Sequence, residues 1–219
     1  GDRDDSRTSS DDDVDVEVDD DDVLYNALVV VAADGTVLTR YHKTHLYVVD
    51  ETWASEGSGF VSVPIPVRDG AGGESGENGP GSGESVVVAT LGICMDINPR
   101  GFVAPWSAHE LARACLKHES SLLLFASAWT NNHPDDPPES VTPVDPNEVW
   151  SYWLNRLAPL VGEDVHFACA NRIGEEDGIT FSGCSGVMSM REPKIVGALG
   201  PEDEGVLIRV VDVPEARRR

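Results

Sequence analysis

A layered α/β sandwich is the fold class this sequence predicts, and three observations carry that prediction. Apolar, β-branched runs at 86–93, 122–126 and 165–170 read as buried strands. Two segments with helical apolar spacing separate them, giving the order strand–helix–strand–helix–strand and hence a sheet covered by helices. The 219 residues, 40% hydrophobic and 25% charged, suffice for one domain with a buried core.

The elements follow in chain order. Residues 1–22 hold twelve acids and two bases and end in four consecutive aspartates. Such a run repels itself and buries too little apolar surface to offset its ordering entropy, so a disordered acidic segment is predicted there and the folded domain over 23–219. Residues 26–31 and 36–40 flank Asp34-Gly35 and predict a β-hairpin, because that dipeptide supplies the φ > 0 turn. The Gly/Ser/Glu-rich stretch 69–85 and the proline-rich stretch 131–145 read as flexible loops. A first helix is marked by Ser107 and Glu110 at capping-box spacing, with Ala108, Leu111, Ala112 and Cys115 on one face. A second is marked by Asp145, Pro146 and Glu148 as N-cap, N1 and N3, with Trp150, Trp153, Leu154 and Leu157 as its apolar stripe. Further strands are predicted at 179–188, 195–199 and 206–211.

Charge and composition exclude several function classes. The formal charge is −23, from 39 acids against 16 bases. A field of that sign repels nucleic-acid phosphates and anionic lipid, so neither nucleic acid nor a membrane is an expected partner. No apolar run reaches bilayer-spanning length. Four cysteines without close pairing point to a reducing compartment, with a cytoplasmic location expected and a mitochondrial one also open. Neither the cysteines nor the six scattered histidines show metal-ligand spacing, so no metal and no cofactor is expected.

Chemistry concentrates around two positions. Cys94 ends the strand run inside Leu91-Gly92-Ile93-Cys94-Met95-Asp96-Ile97-Asn98-Pro99, and strand ends are where α/β sheets expose reactive groups. Burial as a small apolar side chain is the commoner fate of a free cysteine, and it is the expected one for Cys115, Cys169 and Cys184. Lys43 lies in Tyr41-His42-Lys43-Thr44-His45-Leu46-Tyr47, just past the hairpin, where a solvated loop lysine is the ordinary reading. Glu51 and Glu56 follow in Asp50-Glu51-Thr52-Trp53-Ala54-Ser55-Glu56-Gly57.

These segments, in this order, resemble the nitrilase (carbon–nitrogen hydrolase) superfamily, and within it the fungal-type protein N-terminal amidases. Ala126-Ser127-Ala128-Trp129, Asn171-Arg172-Ile173-Gly174 and Phe181-Ser182-Gly183 match later landmarks of the superfamily. The resemblance implies an αββα sandwich and a thiol-dependent amidohydrolase that converts N-terminal Asn or Gln of proteins to Asp or Glu. Ammonia is released, and the product feeds an N-degron degradation pathway. Peptide or protein N-termini bearing Asn or Gln are the implied partners. Carried over residue by residue, Cys94 matches the nucleophile, Lys43 the lysine of the catalytic triad, and Glu51 a further glutamate of the site, with Glu56 the alternative. The backbone N–H of Met95 is an expected oxyanion donor and Trp129 an expected pocket wall. Asp96 is expected to make a structural ion pair with Arg172, and Asp50, Glu51 and Asp96 are the acids nearest for a substrate amine.

The resemblance also implies a general-base glutamate well before the lysine, and no residue here matches it. The sandwich is therefore expected to be incomplete at its N-terminus. Truncation of a longer amidase is the favoured explanation, and a decayed, non-catalytic homologue is the other. Action on a small free amide or nitrile stands as the alternative chemistry.

Overall fold

The computed structural model describes residues 22–67, 85–131 and 143–213. Nearly all of the acidic run and most of the two expected loops lie outside the described residues. Strands β1 (Ala27–Val31) and β2 (Val37–His42) form the hairpin expected around Asp34-Gly35, with Gly35 at φ 88°. Asp34 fixes the turn by accepting the Thr36 N–H at 2.9 Å.

The remaining chain builds one six-stranded sheet from β3 (Ser62–Val67), β4 (Ser85–Ile93), β5 (Leu122–Ser127), β6 (His166–Asn171), β9 (Gly186–Ser189) and β10 (Lys194–Ala198). Its order is β10-β9-β6-β5-β4-β3. The central strands β4, β5 and β6 run parallel, with Ala89 opposite Leu122 and Leu122 opposite His166. Antiparallel strands close both edges. Helix α1 (Glu110–Lys117) links β4 to β5, and α2 (Pro146–Arg156) lies between β5 and β6 in the chain. A two-stranded ribbon of β7 (Glu175–Glu176) and β8 (Ile179–Thr180) stands apart from the sheet.

Helices cover one face and the hairpin the other. On the helical side Leu111, Cys115, Leu123, Phe125, Trp150, Trp153, Leu157 and Phe167 form one buried cluster. On the hairpin side Tyr41, Val63, Ala89, Leu91 and Ile93 do so, with Leu28, Val30 and Leu38 of the hairpin packed on them. Gly92 lets the helical side pack closely, since a Cβ there would press on the Leu111 and Phe125 side chains at 3.0 and 3.1 Å.

Some expectations are corrected. Strand β3 carries Pro64 and Pro66, which conceal it in the sequence; it is tolerated because β3 is an edge strand. The Ser107–Glu110 capping box does not form. Ser107 sits in its own 3₁₀ turn, Trp106–Ala108, and α1 starts after His109, held left-handed at φ 47°. The run 179–188 is not one strand, because Gly183 and Cys184 take positive φ and split it into β8 and β9. Residues 206–211 join no ladder; Val206, Ile208 and Val210 are exposed. The α2 start holds as read, with Asp145 accepting the Asn147 N–H at 2.8 Å.

Candidate active site

Strands β4 and β5 end side by side, and the segments that follow them wall a single cavity of about 330 Å³. Cys94, Met95 and Asn98 come from the 3₁₀ turn after β4, Trp129 from the segment after β5, and Glu148 and Tyr152 from the first two turns of α2. Tyr47 and Phe102 contribute from flanking loops. The carboxyl ends of parallel strands are where open α/β sheets bind ligands, because the helices and loops that follow diverge there.

Cys94 is the first residue of the turn Cys94–Ile97, and its φ of 42° lies in the left-handed region that non-glycine residues rarely occupy. Such a conformation costs on the order of 1 kcal/mol and persists only where surrounding contacts enforce it. The enforcing group is Asp96. Its fully buried carboxylate reaches back to the Ile93 N–H at 2.7 Å and accepts the Tyr41 hydroxyl at 2.7 Å. It also accepts the backbone N–H groups of His45 at 2.8 Å and Thr44 at 3.1 Å. One carboxylate thus ties the turn bearing the thiol to the segment that follows Lys43. Burial pushes the Asp96 carboxyl above its ordinary range, while bonds from His45, Ile93 and Tyr41 oppose that shift.

Lys43 is 3% exposed, and its chain position is fixed from both sides. Its N–H donates to the Asn26 carbonyl and its carbonyl accepts the Gly57 N–H, each at 2.8 Å. A Cβ on Gly57 would lie 2.1 Å from the His42 carbonyl oxygen, so only glycine allows this crossing. The Lys43 Nζ donates to Asp50 Oδ2 at 2.6 Å. Asp50 also accepts the Tyr47 N–H at 2.9 Å and Asn26 Nδ2 at 3.0 Å. Burial raises the Asp50 carboxyl, but the bonds from Lys43, Tyr47 and Asn26 outweigh it and hold the group below its ordinary value. Asp50 is therefore an ionised partner that keeps a cation at position 43, and a poor proton acceptor at neutral pH.

The sequence-predicted residues separate into two groups. Cys94, Met95 and Trp129 line the cavity. Lys43 is not among the lining residues; it is buried, and its partner Asp50 also accepts the N–H of Tyr47, which is one of them. Asp96 stands under the turn as a structural clamp, but Arg172 is not its partner. Arg172 pairs with Glu176 at 2.8 Å and lies over the Phe181 ring at 4.2 Å. Glu51 is exposed on a separate 3₁₀ turn and lines no part of the cavity, and exposed Glu56 pairs with Arg100 at the surface. The carboxylate against Lys43 belongs to the neighbouring residue, Asp50. Cys115, Cys169 and Cys184 are buried as expected, and burial pushes the Cys115 thiol up to about 12 and the Cys184 thiol up to about 11.

Two residues that shape the site were assigned no role from the sequence, although Asn171 lies in a matched landmark. Asn171 accepts the Trp129 N–H at 2.8 Å and donates to the Gly183 carbonyl at 2.6 Å, so it sets the wall residue rather than touching the cavity. Tyr152 donates to Asn98 Oδ1 at 2.6 Å, joining α2 to the thiol-bearing turn. The contact spans 54 positions, and only the sheet order brings the partners together. Among the described residues no group of three or more metal-ligating side chains occurs, and no helix is long and apolar enough to cross a membrane.

Residues 13–219 match the carbon-nitrogen hydrolase family. The chain belongs to that family. Two curated relatives of this carbon-nitrogen hydrolase are named Protein N-terminal amidase. That of Schizosaccharomyces pombe is 30% identical over 201 residues, covering 84% of this chain and 63% of the relative. That of Saccharomyces cerevisiae is 31% identical over 177 residues, covering 80% of this chain and 35% of the relative. The chain thus spans less than two thirds of the length of either. Among solved structures, N-terminal amidase with Asn-Glu-Ala peptide superimposes at a TM-score of 0.70 over 90% of this chain and 75% of that one, at 18% identity. At that identity the likeness is one of fold, and it agrees with the nitrilase-type α/β architecture.

Proposed function

We propose that this carbon-nitrogen hydrolase deamidates N-terminal Asn and Gln, with Cys94 as nucleophile. The observation that carries the reading is a half-buried thiol held at positive φ on the wall of a cavity at a strand end. The names of the curated relatives support the substrate class. In the proposed reaction the deprotonated Sγ of Cys94 bonds to the side-chain amide carbon, and the C=O electron pair moves onto oxygen. Collapse of that tetrahedral adduct breaks the C–N bond, and the nitrogen leaves as ammonia after taking up a proton. Water then adds to the thioester and the C–S bond breaks, regenerating the thiol and leaving Asp or Glu. The Met95 N–H, at the opening of a turn where N–H groups have no partner within it, stabilises the oxyanion. The free Asp or Glu N-terminus is the product that a degradation pathway would read.

The test is ammonia release from Asn- and Gln-initiated peptides by the wild-type chain and Cys94→Ala. Complete loss in the variant, by about 10⁴-fold or more, is the expected outcome. Equal release from both removes Cys94 from the chemistry.

A further inference from the structure

We infer that Glu148 anchors the α-ammonium group of the substrate's first residue, an assignment that rests on the deamidation reading above. Among the described residues, Asp145 and Glu148 are the only charged side chains lining the cavity, and both are acids. They differ in what else they do. Asp145 caps α2, its Oδ1 accepting the backbone N–H and the Nδ2 of Asn147 at 2.8 and 3.2 Å. Glu148 has no hydrogen-bond or ion-pair partner among the described residues. It sits in the first turn of α2. It is an unspent carboxylate in the same cavity as the thiol.

The rest of the cavity suits a cation. Trp129 and Tyr152 both line it, their rings 5.2 Å apart and tilted by 52°, and aromatic faces attract an ammonium through their quadrupoles. At about 330 Å³ the space lies at the low end for ligand sites and fits a single head residue. The ammonium and the reacting amide of that residue must therefore enter together, and the ammonium meets Glu148, an exposed carboxylate on the cavity wall. The same carboxylate has a second consequence. Deamidation turns a neutral side chain into an anion inside a cavity whose charged groups are both acids, so the product is repelled where the substrate was held.

The test compares the full chain with Glu148→Gln and Glu148→Asp, using a free Asn-initiated peptide and its N-acetylated form. The wild type is expected to prefer the free amine. Glu148→Gln is expected to raise KM for the free peptide about 10- to 100-fold with kcat little changed, as for loss of a charge-assisted contact. KM for the acetylated peptide should not move, and Glu148→Asp should restore part of the preference. The wild-type KM should also rise as pH passes the α-amino pKa near 8, and that rise should flatten in Glu148→Gln. An unchanged ratio of free to acetylated rates in a folded Glu148→Gln protein overturns the anchor while leaving deamidation standing. Equal wild-type rates on free and acetylated peptides do the same. No ammonia from any Asn- or Gln-initiated peptide overturns the deamidation reading and the anchor with it.

Discussion

The two faces of the six-stranded sheet hold their layers by different physics. Under the helices, Trp150, Trp153, Phe125 and Phe167 meet edge-to-face or tilted, with centroids 5.2 to 6.4 Å apart, in a mainly apolar core beside the buried Arg156 of α2. Under the hairpin the apolar cluster is smaller, Val29, Val31 and Val37 remain exposed, and buried charges complete the join. Asp96 collects four donors there, and Lys43 pairs with Asp50. Apolar packing tolerates neighbours of similar size, whereas a buried carboxylate demands particular partners at particular angles. Asp96 on the hairpin side sets the start of the thiol-bearing turn, and Tyr152 and Arg156 of α2 hold its end, so the molecule uses bulk packing for cohesion and polar contacts for geometry.

The sharpest way to break this contrast is Trp153→Ala. Removing a fully buried indole from the helical side should cost about 4 kcal/mol, read as a lower urea midpoint, and should leave the relative reactivity of the Cys94 thiol unchanged in whatever protein stays folded. A thiol rate that falls with stability would show that packing, not the clamp, shapes the turn. Lys43→Met comes next. It leaves Asp50 as a buried charge without its cation and should cost about 3 kcal/mol. The same variant tests the pH dependence. The folded Asp50 carboxyl titrates below its unfolded value near 3.9, so the pair's stabilisation is present above that pH and is lost as pH falls through the folded value. Denaturation midpoints between about pH 6 and pH 2 should therefore fall more shallowly for Lys43→Met than for the wild type; parallel curves would assign the acid slope elsewhere.

Tyr41→Phe is a smaller cut on the same side. It deletes one hydroxyl donor to Asp96, should cost about 2 kcal/mol, and should change Cys94 labelling by a thiol reagent more than Trp153→Ala does. Glu56→Ala sets the floor. Its pair with Arg100 is exposed on both sides, so the midpoint should shift by less than about 0.5 kcal/mol. A larger shift would give that surface pair a role in holding the 55–57 segment against Lys43.

How much was readable from the chain varies with the kind of interaction. The turn at Asp34-Gly35, the α2 cap at Asp145 and the three parallel strands were legible because each rests on local backbone preference or on short apolar runs. The start of α1 was misread because His109 adopts a left-handed conformation that interrupts the Ser107–Glu110 spacing. Glu51 comes from the resemblance, with Glu56 as the alternative, whereas the carboxylate buried against Lys43 is that of Asp50, because adjacent carboxylates in one segment look alike until one of them is buried. Arg172 was paired with Asp96 by chemistry alone, while geometry gave Arg172 to Glu176 four residues away and Asp96 to backbone donors.

By itself the chain determined the order of strands and helices, the place of Cys94 at a strand end and that of Lys43 just past the hairpin, because periodicity, turn residues and short motifs are properties of neighbours. Tertiary structure alone decided that Asp50 holds the lysine, that Asp96 bends the thiol-bearing turn, and that Glu148, Tyr152 and Trp129 face the same hollow. Those choices depend on which residues meet when the sheet closes, across spans from seven positions for Lys43 and Asp50 to 55 for Tyr41 and Asp96, and burial and donor geometry, not residue type, select among chemically equivalent candidates.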